Sequence, residues 1–207
     1  MTGQIEHRRR VGTRRAILDA AVEVMIERGV AGLSLSEVAR RVGVRQPSLY
    51  KHFPSLHAVY DELFREGVEQ LRDEVARAVA LAAPGLAALA AAVEAIGRHA
   101  MANQVVGQLY TWRPVPEFEP SVAAMRPSIE MVAIIREALH DAVVSGELGA
   151  AADSDEGAAL MSIVITGVLT QQMANEPGAT YERGQFSSLL PRAFDMFVQY
   201  FAPKTKE

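Results

Sequence analysis

The stretch GVRQPSLYKHF, running from Gly43 to Phe53, gathers two cations, an amide, a hydroxyl, an imidazole and two aromatic rings into one short piece of chain. Such a set could serve a catalytic loop, a metal site or a surface that reads nucleic-acid bases. The histidines are His7, His52, His57, His99 and His140, and no pair has the i, i+3 or i, i+4 spacing with a nearby carboxylate that a helical metal site needs. His140–Asp141 reads as an exposed helix face. Cysteine is absent, which removes thiolate ligands, thiol nucleophiles and disulfides. No G-x-S-x-G, P-loop or dinucleotide fingerprint occurs, so neither an enzyme nor a cofactor is expected. Base reading fits the residue types better. Gln46 can pair bidentately with adenine, Arg45 or Lys51 with guanine, Ser48 with several bases, and Pro47 can rest on a thymine methyl. Tyr50, His52 and Ser34 suit phosphate oxygens.

These groups need a scaffold, and the local pattern supplies one. Ile17, Ala20, Ala21 and Val24 recur at helical spacing between Thr13 and Gly29. A second, short helix begins at SLSE, where Ser34 and Glu37 have the spacing of a capping box, and ends at Gly43, which suits a positive φ. A third runs from about Gln46 to Phe53, with Pro47 tolerated in its first turn and with Leu49 and Phe53 on one buried face with Val44. Ser55 starts a long fourth helix whose buried stripe is Leu56, Val59, Tyr60, Leu63, Val68, Leu71, Val75 and Val79. Further helices are predicted over 85–101, 103–112, 120–145, 153–175 and 185–201, with no period-two strand pattern. Two short helices joined by a tight glycine turn, behind a supporting helix, describe a helix-turn-helix DNA reader.

A chain of 207 residues with 49% hydrophobic and 22% charged residues suits one large or two small domains. Its net charge of −4 conceals an asymmetry. Residues 1–52 carry ten Lys/Arg against five acids, a local +5, and the remainder carries eleven against twenty, or −9. A basic end on an acidic body points to a polyanionic partner. The lack of cysteine and of an export signal points to the cytoplasm, and the apolar stretches fall short of a membrane span. A rival reading is a helical metabolite- or lipid-binding protein whose basic first domain touches membranes. That would require exposed large apolar residues on the basic face, where the pattern buries them.

From Arg15 to Phe64 the sequence resembles the DNA-binding domain of the TetR family of transcriptional regulators, with GVRQPSLYKHF matching the recognition helix. The resemblance implies an all-α fold: a basic arm (1–12), a three-helix helix-turn-helix domain (13–72), and a C-terminal helical effector-binding and dimerisation domain (73–207) joined to it by the long fourth helix. It also implies a homodimer that binds a palindromic double-stranded operator and is released by a small molecule. Carried over by position, the DNA contacts fall on Ser34, Arg45, Gln46, Pro47, Ser48, Tyr50, Lys51 and His52. Two positions depart from the family pattern: Leu56–His57 stand where a phosphate-anchoring lysine is usual, and Arg45 replaces a commoner serine or carboxylate. Of a Trp-His-Gly signature in the penultimate helix only Gly167 is present.

The last two predicted helices carry more apolar surface than one small bundle must hide, notably Leu160, Ile163, Ile165, Leu169, Leu189, Leu190, Phe194, Phe197 and Val198, as expected of a subunit interface. Together with the family resemblance, Met101, Tyr110, Trp112, Phe118, Met125, Met131 and Met161, with Gln108 and Gln171 as polar anchors, suggest a cavity for an apolar or aromatic effector.

Overall fold

The computed structural model describes residues 2–112 and 114–203, with the side chains of residues 2–10 outside the description. The basic arm's Arg8, Arg9 and Arg10 therefore have side chains outside the description. Within the described residues the fold is all-helical, without strands: α1 (Thr2–Arg28), α2 (Leu35–Val42), α3 (Gln46–Tyr50), α4 (Leu56–Leu81), α5 (Leu86–Ala102), α6 (Gln104–Thr111), α7 (Val122–Val144), α8 (Asp155–Asn175) and α9 (Leu190–Tyr200), with three short 3₁₀ turns. α1 starts well before Thr13. α3 ends at Tyr50 instead of Phe53, and a 3₁₀ turn, Ser187–Leu189, precedes α9.

Two compact units result, Met1–Gly67 with Val105–Ala124, and Val68–Gln104 with Met125–Glu207. In the first, Ile17, Leu18, Ala21, Val24 and Met25 of α1 are buried with Val38 and Ala39 of α2, Leu49, Phe53, and Val59, Tyr60, Leu63 and Phe64 of α4. The Tyr60 hydroxyl donates to the Val30 carbonyl at 2.7 Å, and burial pushes its pKa up to about 12. Segment 105–124 completes this core: Phe118 lies against Tyr60 with ring centroids 5.6 Å apart, and Tyr110 meets Phe64 edge-on. Asp61 accepts hydrogen bonds from the Ser121 amide and hydroxyl at 2.7 and 2.8 Å, and the Ser121 hydroxyl in turn accepts from the Ala124 amide at the start of α7.

In the second unit α5 packs on α8 and α9. Gly97 permits this approach, because a Cβ there would lie 2.5 Å from the Tyr181 ring and 2.8 Å from Leu190. Ser154 caps α8 by accepting from the Gly157 amide at 3.0 Å, and Glu147 accepts from the first amide of α5, that of Leu86, at 2.9 Å. Gln172 is fully buried. Its Oε1 accepts from the Phe186 and Ser187 amides and its Nε2 donates to the Glu176 carbonyl and carboxylate, fastening the 176–187 segment to α8.

Candidate nucleic-acid interface

α2 ends at Gly43 in the left-handed region, φ 71°, and the Gly43 amide donates to the carbonyls of Ala39 and Arg40. The Val44 amide returns to the Ala39 carbonyl at 3.0 Å, so the chain reverses within two residues. Arg45 is extended, and its carbonyl accepts from the amides of Ser48 and Leu49, which opens α3 with Pro47 in the first turn. Leu49 and Phe53 anchor the inner face at 0% and 1% exposure. With those two inward, Arg45, Gln46, Pro47, Tyr50 and Lys51 are all exposed, and Ser34, Ser48 and His52 are half-buried. The eight residues expected from sequence thus lie at the rim of one turn and on the outer side of one short helix.

The capping box does not form. Ser34 is the N-cap of α2 by backbone conformation, but its hydroxyl makes no cap hydrogen bond and lies 2.8 Å from the Ser36 hydroxyl. Glu37 is taken instead by Arg40 at 2.7 Å, Arg41 at 3.1 Å and Arg28 at 3.6 Å. Two of those guanidinium hydrogen bonds, from Arg40 and Arg41, hold the Glu37 carboxyl down at about 2. Among the described residues no side chain accepts from the first amides of α2, an arrangement suited to an anion.

The basic residues sort into two groups. Arg15 pairs with Asp19 and Glu66, and Arg41 with Glu23, Glu27 and Glu37. Arg14, read from sequence only as part of the basic cluster, donates to the His52 carbonyl at 3.3 Å. Its guanidinium also sits 4.3 Å over the Phe53 ring and pairs with Glu62 at 2.9 Å. It therefore pins the far end of the turn-and-helix segment, a role that only proximity in space could reveal. Among the described residues Arg45 and Lys51 have no acidic partner and remain available to a polyanion. Ser55 caps α4 through the Ala58 amide at 3.1 Å, and the His57 ring, near the position of the usual lysine, meets Phe118 edge-on.

The family description "Bacterial regulatory proteins, tetR family" matches residues 17–63, which include the whole of this arrangement. Over those residues the chain is similar to the DNA-binding region of the TetR family. It is 41% identical over 71 residues to the HTH-type transcriptional regulator YobS of Bacillus subtilis, a match covering 34% of this chain and 37% of that one. It is 37% identical over 82 residues to the HTH-type transcriptional activator FasR of Mycolicibacterium smegmatis, covering 40% and 37%. The chain thus spans a little over a third of the length of these relatives. The crystal structure of the transcriptional regulator FadR from Bacillus subtilis, in complex with stearoyl-CoA, matches over 89% of this chain and 97% of that one with a TM-score of 0.64 at 18% identity, a likeness of fold.

The residues expected to line an effector cavity are distributed over both units. Gln108, Tyr110, Trp112 and Phe118 belong to the first. Met101 and Met161 are buried in the second, where Met125 and Met131 are half-buried. Gln171 is exposed and bonded to the Asn175 side chain, and its neighbour Gln172 is the buried amide. A cleft of about 510 Å³ opens between α5 and α9, floored by Leu86, Val93, Tyr181 and Phe194 and edged by Glu94, Glu147 and Asp195, and none of the nine expected residues lines it.

Proposed function

We propose that this chain is a sequence-specific DNA-binding regulator of the cytoplasm, acting as a homodimer on a palindromic operator and repressing until a small apolar or aromatic ligand releases it. The observation that carries the DNA reading is the outer side of α3. There, base-matching and phosphate-matching side chains, with the Arg45 and Lys51 cations free of acidic partners among the described residues, are held on buried Leu49 and Phe53. The open amides at the start of α2 add a phosphate seat. Selection from randomised duplexes should return a palindrome, and Gln46→Ala should cost about 1 to 3 kcal/mol on it. A pool with no enriched motif would refute the proposal.

The dimer is supported by apolar surface that a single chain leaves exposed. Only a third of the apolar stretch of α8 is buried, Ile163 is 62% exposed, and Gly167 faces open space. On and beside α9, Leu189, Met196 and Tyr200 are likewise exposed. Two such helix pairs brought together by a two-fold axis would bury these residues and set two reading helices one DNA turn apart. α8 is also, among the described residues, the helix long and apolar enough to cross a membrane by length and composition, and pairing accounts for that apolarity with its buried third already in the core. For the switch, α4 contributes residues to both compact units and is the natural lever. Release requires the ligand to favour the DNA-incompetent state, and by linkage the operator then weakens the ligand by the same factor.

A further inference from the structure

Three buried polar side chains stand out among the described residues: Gln172, Ser187 and His99. Gln172 uses both ends of its amide, and Ser187 donates to the Tyr181 carbonyl at 2.8 Å. His99, on α5, uses half of its ring. Its Nδ1 lies 3.0 Å from Oε2 of Glu74 on α4, whereas Nε2 is buried without a hydrogen-bond partner among the described residues. An ionised carboxylate only accepts, so the Glu74 contact puts the hydrogen on Nδ1, and the neutral ring then presents a bare lone pair at Nε2.

A buried acceptor left unmatched is costly, and native proteins rarely keep one without a use. Stability does not call for it here: an apolar ring at this position would fill the same space, and Glu74, with its side chain 44% exposed, is hydrated without His99. Within one turn of the pair along the chain, Ile96 and Ala100 on α5 and Leu71 and Val75 on α4 are all buried, and the Asn103 side chain donates to the His99 carbonyl at 3.1 Å. Met101 and Met161, flexible thioethers buried in the same unit, can repack around a guest.

We propose that His99 Nε2 is the polar anchor of an effector site in this unit, accepting a hydrogen bond from the single hydroxyl of an apolar aromatic ligand, with Glu74 as the positioning residue that fixes the tautomer. The proposal rests on the reading of the chain as a ligand-controlled regulator and names the chemical class of its ligand. An acceptor in apolar surroundings selects a neutral O–H donor. It rejects a carboxylate or a ketone, which would set acceptor against acceptor. The pair also bridges α5 to α4, the helix that contributes to both units.

The test uses the full chain with ¹⁵N-labelled histidine, His99 being assigned by the resonances lost in His99→Phe. The probes are matched pairs: phenol and benzene, 4-propylphenol and propylbenzene, 2-naphthol and naphthalene. In the free protein Nδ1 should be the protonated nitrogen and Nε2 the bare one. At least one hydroxylated probe should move the Nε2 resonance and bind roughly tenfold more tightly than its deoxy partner. That preference should fall to about one in His99→Phe. Glu74→Leu, a change at a half-exposed site, should replace the single tautomer by a mixture and shrink the preference, which a merely structural role for Glu74 would leave intact. A ring protonated at Nε2 in the free protein overturns the proposal. So does an Nε2 resonance that no hydroxylated probe moves, as expected if water alone occupies the site, and so does a preference that survives His99→Phe. Operator binding by the unsubstituted chain is measured alongside. Its absence would sink the regulator reading whatever His99 does, whereas operator binding with an unresponsive His99 sinks only the site.

Discussion

The division of the basic residues into paired and unpaired groups makes a quantitative forecast. Lys51 and Arg45 have no acidic partner among the described residues, whereas Arg40 is held by Glu37 at 2.7 Å. A cation that neutralises a phosphate contributes about 0.9 to the slope of log K against log salt, so Lys51→Ala, which removes two cations from a two-fold dimer, should lower the slope by about 1.8. Between 50 and 200 mM salt the variant should then lose roughly twelvefold less affinity than the parent, a difference of about 1.5 kcal/mol. Arg45→Ala should behave similarly. Arg40→Ala removes a charge already matched inside the protein and should shift the slope by less than about 0.5. Fluorescence anisotropy on the selected operator across that salt range measures all three. A slope that falls with Arg40→Ala and is indifferent to Lys51→Ala would show that the unpaired cations do not face the DNA, and the assignment of the outer side of α3 would be wrong.

Three further outcomes follow from other parts of the molecule. Gln172→Leu strands the part-buried Phe186 amide and the buried Ser187 amide and should lower stability by about 2 to 5 kcal/mol with an unchanged denaturant slope, read by urea unfolding; a loss under 1 kcal/mol would contradict the fastening role. Glu37 is held at about 2 by its arginines, below its ordinary 4.5, so its stabilisation is present above about 4.5 and lost as pH falls toward 2; Glu37→Gln should flatten that part of the urea-midpoint profile, and an unaltered profile would rule out the linkage. Ile163→Asp on exposed α8 should yield a folded monomer by light scattering and circular dichroism, and a persistent dimer would place the interface elsewhere.

The Gly43 turn and the short helix after it were legible from the sequence because their signals are local. Gly43, Pro47, Leu49 and Phe53 each act within one turn of themselves, through backbone conformation or through which side of a short helix faces inward. What escaped depends on competition between partners, several of them distant in sequence. The Ser34–Glu37 spacing satisfied a local rule, yet Arg28 from α1, together with Arg40 and Arg41, competes for the same carboxylate more strongly than a backbone amide does. Arg14 reaches the His52 carbonyl across 38 positions, and His99 meets Glu74 across 25. On α8 a difference of one residue decided between Gln171 and Gln172, since neighbouring positions on a helix face about 100° apart and apolar spacing alone leaves the rotation loosely set.

The first compact unit is discontinuous in sequence, and that bears on how such a reading head could be transplanted. Phe118 and Leu109 come from segment 105–124 and are buried with Tyr60 and Phe64 of α4, while Gly67 lies so close to Val106 that a Cβ there would come within 2.6 Å of it. A fragment cut after Gly67 would keep every side chain proposed to read bases and still bare an aromatic surface that the intact chain covers. Chimeras that join this operator preference to a foreign sensor must carry a matching insert in place of 105–124, or repaint Tyr60 and Phe64 with polar groups. Swapping the two specificities is a two-cut operation in this chain, and libraries built on a single crossover point will be enriched in aggregates.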